Sequence, residues 1–155
     1  AAAALAAAPR ASADLLIADV FQGSRTPAEL TTLSHAEAAG RVLRPGGSYA
    51  ANLADGTPFA FLRSQLATLA RAFGELCLIA EPGVLRGRRF GNVVAVAAHT
   101  PLPVAELVRR CAADPFPARV VHGAALRRFT GDAAWVRDAD GRPSPEPPSG
   151  AFTVG

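Results

Sequence analysis

The run Asp14-Leu-Leu-Ile-Ala-Asp-Val-Phe21 constrains this chain more than any other segment. Its apolar residues do not alternate with polar ones, as they do in a strand with one wet face. The continuous pattern fits a strand covered on both faces, which belongs in a parallel sheet. Asp19 stands at the carboxyl end of that run. Ligands of open α/β sheets sit just beyond the carboxyl ends of the strands, so chemistry is sought first at this carboxylate.

The rest of the chain alternates in the same manner. Residues 1–8 read as a short helix by alanine propensity, and residues 14–20 as the first strand. A loop broken by Gly23 and Pro27 leads to a helix from Ser34 to about Arg44. Ser34 and Glu37 form a Ser-x-x-Glu capping box at its start, and Pro45, Gly46 and Gly47 stop it. Ser48–Leu53 reads as the second strand, and a helix runs from about Pro58 to Ala72. Within it Leu62, Leu66, Leu69 and Phe73 recur at helical spacing, the pattern of a core-facing stripe. Residues 75–80 and 92–97 form the third and fourth strands, and residues 104–113 a further helix. The segment 117–139 leaves its assignment open, and residues 141–150, rich in Pro, Ser and Gly, are expected to be extended and mobile. The organisation is thus a domain over 1–140 and a Pro-rich flexible tail over 141–155. Strands alternating with helices argue for an α/β layered domain with a largely parallel sheet. The last two strands, joined without a helix, imply one antiparallel edge member.

Composition narrows the function classes. Half of the 155 residues are apolar and 19% are charged, which suits one globular domain and excludes global disorder. No apolar run reaches the roughly 20 residues needed to span a bilayer, so no membrane insertion is expected. The net charge is +3 and every basic residue is Arg, a pattern of compositional bias on a solvated surface rather than of a nucleic-acid binder. The leading alanine run lacks the basic residues of a signal peptide, which points to a cytoplasmic protein. Cys77 and Cys111 show neither metal nor redox spacing and read as buried thiols. His35, His99 and His122 show no metal spacing, and no metal is expected.

Taken in order, Asp14 to Phe21, the helix exit Leu43-Arg-Pro-Gly-Gly47 and the strand ending in Asn52-Leu53 resemble the carboxyl-terminal half of the spermidine synthase-like family. These are aminopropyltransferases built on the class I AdoMet-dependent methyltransferase fold. The resemblance extends over roughly residues 1–100. It implies a Rossmann-like α/β fold, a mostly parallel sheet in the family's order 3-2-1-4-5-7-6 with the seventh strand antiparallel, in which the four strands stand for the family's fourth to seventh. It also implies decarboxylated AdoMet or AdoMet as donor and a small-molecule amine as acceptor. The Gly-rich loop after the family's first strand and the acid ending its second are absent from these residues, so no cofactor-binding residue is assigned. The family's fourth strand pairs with its first. Without that neighbour, residues 14–20 present a long apolar edge, an aggregation hazard. The chain is therefore expected to be a fragment lacking an amino-terminal half, inactive alone, or to complete itself as a homo-oligomer.

In the family the acid at the position of Asp19 acts on the attacking amine. An ammonium cannot attack a sulfonium carbon until it loses a proton, and a carboxylate in hydrogen-bond reach both orients it and accepts that proton. A carboxylate capping the following loop is the competing reading of Asp19. Three residues on, where the family places a second acid that holds the diamine, this chain has Gln22, a candidate substrate-binding residue that carries no charge. Asp55 is a second candidate for the amine, or else the cap of the helix that follows. The loop Glu81–Gly91 carries Arg86, Arg88 and Arg89, which repel a cationic amine and suit either a solvated turn or an anion. The departures at Gln22 and in this loop keep a second function open: a methyltransferase-fold module without catalysis that binds a protein partner.

Overall fold

In the stretch Ser48–Leu53, Tyr49, Ala51 and Leu53 are buried, while Ser48, Ala50 and Asn52 are only half-covered. That period of two makes a strand with one face against a core. The computed structural model describes residues 2–151. Its elements are α1 (Ala2–Ala7), β1 (Ala13–Ala18), α2 (Leu33–Val42), β2 (Leu43–Asp55), α3 (Ala60–Ala72), β3 (Glu75–Ala80), α4 (Pro82–Leu85), β4 (Gly91–Ala98), α5 (Val104–Ala113), β5 (Arg119–His122) and α6 (Gly123–Thr130).

The five strands form one sheet in the order β1-β2-β4-β3-β5. β1 and β2 pair in parallel, with Leu15 opposite Ser48 and Ala18 opposite Ala51. Every other pairing is antiparallel: β2 with β4, β4 with β3, and β3 with β5. The expectation of a mostly parallel sheet with one antiparallel strand is corrected here: the sheet is mixed, with one parallel pair. Two local causes produce this. The short α4 turn returns β4 alongside β3, and β4 lies between β2 and β3, as the family order places its seventh strand and not at an edge, so that one reversed strand makes two antiparallel pairings. The undecided segment supplies β5, which closes the far edge antiparallel to β3.

The core lies on one face of the sheet. Leu62, Leu66, Leu69 and Phe73 of the α3 stripe meet Tyr49, Ala51 and Leu53 of β2, Leu78 of β3 and Val93, Ala95 and Ala97 of β4. Ala39 and Val42 of α2 and Leu126 of α6 complete it. The opposite face is less covered: Leu15 is 56% and Ile17 64% exposed on β1. The Arg41 guanidinium donates to the carbonyls of Leu5, Ala6 and Ala8, a cationic cap on the carboxyl end of α1.

Two termini of α2 differ from the sequence reading. β2 begins at Leu43, so the Arg-Pro-Gly-Gly stretch lies within the strand, next to an irregularity in pairing between Ala13 and Leu15. The capping box at Ser34 is not formed. The helix starts one residue earlier, after Thr32, and the Ser34 N–H donates to Asp138 Oδ1 at 3.2 Å. The Pro-rich stretch is extended, and it is docked: Ser144 is wholly buried.

Candidate functional site

The parallel register that sets Ala18 opposite Ala51 places the next residues, Asp19 and Asn52, side by side at the carboxyl end of β1. Asn52 Nδ2 donates to Asp19 Oδ1 at 2.9 Å. A carboxylate accepts and never donates when ionised, so this contact fixes which way the amide points. Asn52 Oδ1 then faces inward, where no group of the chain donates to it among the described residues. Asp19 is exposed and therefore reachable from solvent. Sequence reasoning placed Asn52 at a strand end and gave it no role. Its signal was there: one amide in an otherwise apolar strand segment, at the same level as the acid.

Gln22 lies three residues beyond Asp19, exposed, in a turn closed by the Gln22 N–H to the Arg25 carbonyl at 2.8 Å. Gly23, at φ +63°, supplies the left-handed residue that turn needs. An open groove of about 310 Å³ runs past Gln22, Arg25, Glu29 and Pro143. Asp55 sits elsewhere. It is buried at the end of β2, and its two oxygens accept the N–H groups of Gly56 and Leu62, each at 2.8 Å. That is the geometry of a helix-capping carboxylate on α3. Burial pushes its pKa above the usual carboxylate value, against the pull of the two N–H donors. A second groove, of about 530 Å³, lies beside Asp55, Phe61 and Phe90. No hydrogen bond joins Asp19 to Gln22 or Asp55 among the described residues.

The Arg-rich loop is partly neutralised, because Arg89 pairs with Glu81, whose carboxylate also accepts the Gly83 N–H at the start of α4. Inside the protein, His35 Nε2 lies 3.3 Å from the Tyr49 hydroxyl. Burial lowers the His35 pKa, against the raising effect of Glu29, and raises that of Tyr49. The cavity beside this pair encloses only about 20 Å³, room for a water and not for a substrate. No group of three or more His, Cys, Asp and Glu suited to a metal occurs among the described residues. Nor is any helix among them long and apolar enough to cross a membrane.

No protein-family model matches this chain, and no curated protein does. Solved structures do. The chain is similar to a probable spermidine synthase from Corynebacterium glutamicum, with 30% identity and a TM-score of 0.81 over 94% of this chain and 54% of that one. It also resembles in fold the spermidine synthase from Thermotoga maritima, at 12% identity and a TM-score of 0.52, over 99% of this chain and 44% of that one. The chain spans about half the length of these solved relatives. Over nearly all of its residues this chain has a spermidine synthase-like fold.

Proposed function

We propose that this chain is the acceptor-side part of a spermidine synthase-like transferase, moving an aminopropyl or methyl group from an AdoMet-type sulfonium to an amine. The observation that carries the reading is the exposed Asp19 carboxylate at the carboxyl end of β1, held by Asn52. The donor, when bound, supplies an electrophilic carbon that needs little further activation. The residues of this chain supply position and proton removal. Asp19 orients the acceptor ammonium and takes its proton, leaving the lone pair free to attack. Asn52 keeps one carboxylate oxygen engaged, so that the other faces the amine.

Gln22 contributes a neutral hydrogen bond where a second acid would add charge, which favours acceptors with a single ammonium near Asp19 over a diamine. Asp55 shapes the site through α3, its oxygens being taken by backbone donors. The residues that would hold the nucleoside are not found in this chain. The open β1 edge, with Leu15 and Ile17 exposed beside it, is where further strands of a complete sheet would add, and the isolated chain is accordingly inactive. We place the protein in the cytoplasm, in keeping with its free cysteines, buried Cys77 and half-buried Cys111.

The test is Asp19→Asn in the longest natural form of the protein, assayed for transfer to amine acceptors. Loss of the base is expected to lower kcat by about 100-fold or more. Undiminished turnover would remove Asp19 from the mechanism. The second reading, a partner-binding module without catalysis, is favoured by Gln22 and by the exposure of Leu15 and Ile17 on the outer face of β1.

A further inference from the structure

Between β1 and α2 the chain runs from Asp19 to Thr32 with a single 3₁₀ turn, Ala28–Leu30, as regular structure. A loop of this length is ordered only if something outside it offsets about 1–2 kcal/mol of backbone entropy per residue. The Pro-rich stretch near the carboxyl end is what meets it. Ser144 commits all three of its polar groups to the loop: its Oγ accepts the Thr26 N–H at 2.9 Å, its N–H donates to the Thr26 carbonyl at 3.1 Å, and its carbonyl accepts Arg25 Nε. Two residues earlier the Arg142 carbonyl accepts the Thr31 hydroxyl at 3.1 Å. Further back, Val136 bridges the neighbouring elements, donating its N–H to Thr68 Oγ1 on α3 and accepting the Leu33 N–H at the start of α2. Trp135 anchors the beginning of the strap, with the guanidinium groups of Arg71 and Arg137 at 5.1 and 5.4 Å from its ring centre.

We infer that Ser144 is a positioning residue: the strap of residues 135–144 holds the loop that carries Asp19 and Gln22, and so sets where those two side chains stand against β2. The importance of that position rests on the role of Asp19 proposed above, but the positioning itself is measurable without any activity. The prolines on either side of Ser144 serve the docking for a physical reason. Pro143 and Pro145 flank Ser144, restrict the unfolded chain and lower the entropy lost on docking. Their carbonyls stay available as acceptors, and the Ser144 N–H between them is the one donor, spent on Thr26.

The experiment compares three forms of the whole chain: Ser144→Ala, Ser144→Thr, and one terminated after Asp140, which keeps Trp135 and the Asp138 contact to α2. Amide hydrogen exchange is followed by NMR, together with the side-chain NH₂ signals of Asn52, which report its bond to Asp19. Expected in Ser144→Ala and in the shortened form is exchange at residues 22–33 at least about tenfold faster, with β2 and β4 still protected, and a shifted Asn52 NH₂ pair. Ser144→Thr, which retains the hydroxyl, is expected to restore both. Unchanged exchange in the shortened form overturns the inference, because the strap is then not what orders the loop. Faster exchange with unmoved Asn52 signals overturns it as well, since the loop would be held without positioning Asp19. If no form of the protein transfers a group to an amine, the catalytic reading falls and these signals still decide the strap.

Discussion

Asp55 shows how one carboxylate links stability to pH. Its oxygens accept Gly56 and Leu62 N–H groups, yet burial dominates and raises its pKa. For an acid whose folded pKa lies above its unfolded value, the folded state binds the proton more tightly. Its stabilising contribution is complete below the unfolded pKa and is lost as pH rises through the folded one. Asp55→Asn should therefore flatten the stability profile over the pH range just above the ordinary carboxylate value. It should also cost about 1 kcal/mol near neutrality, since the amide has one acceptor oxygen for two N–H donors. Urea unfolding of both forms across pH checks this; parallel curves would mean that Asp55 does not titrate in that range. The site was legible in the sequence to the extent that an acid closing an apolar run is legible. Asp19 and Asp55 were both visible in that way. Asn52 escaped because its role comes from register, and pairing partners cannot be read along one strand.

The elements separate what local pattern can reveal from what it cannot. The α3 stripe and β3 appear where periodicity put them, because their burial is set by residues close in sequence. The start of α2 does not, since its first turn is capped by Asp138, across 104 positions. The Ser34 hydroxyl first, then this N–H bond and the Thr32 hydroxyl, hold the Asp138 pKa below the ordinary carboxylate value. A depressed acid stabilises the fold above its unfolded pKa and ceases to do so as pH falls through the folded one. Asp138→Ala should consequently lower Tm at pH 7 and leave it nearly unchanged in acid, a contrast that thermal melts at two pH values will show or exclude. β1 makes the second elemental prediction. It is an edge strand with Leu15 and Ile17 exposed, the kind of edge along which chains associate. Ile17→Lys should reduce concentration-dependent association of the isolated chain, measured by light scattering. Equal association of the two forms would mean that the β1 edge is not the contact. Strand order was half legible: a short β3–β4 connection announces an antiparallel pair, and only the family resemblance, not local pattern, put β4 between β2 and β3, while β5 was not foreseen at all.

At the scale of the whole molecule, three features point the same way. One sheet face carries the core while the β1 end of the other stays exposed, the β1 edge is unpaired, and the chain spans about half of its solved relatives. Asp19 stands exposed at the rim of this sheet. In the function proposed above, binding energy for a donor comes from groups outside these residues. Calorimetry with methylthioadenosine should accordingly register no binding to the 155-residue chain, and micromolar or tighter binding to the longest natural form of the protein. The comparison separates the two functional readings. Binding by the longer form alone fits the proposed transferase, with its acceptor side around Asp19. If the longer form also fails to bind, the fold has been kept without its donor, Asp19 has no electrophile to serve, and the exposed β1 face is better understood as a surface for a protein partner.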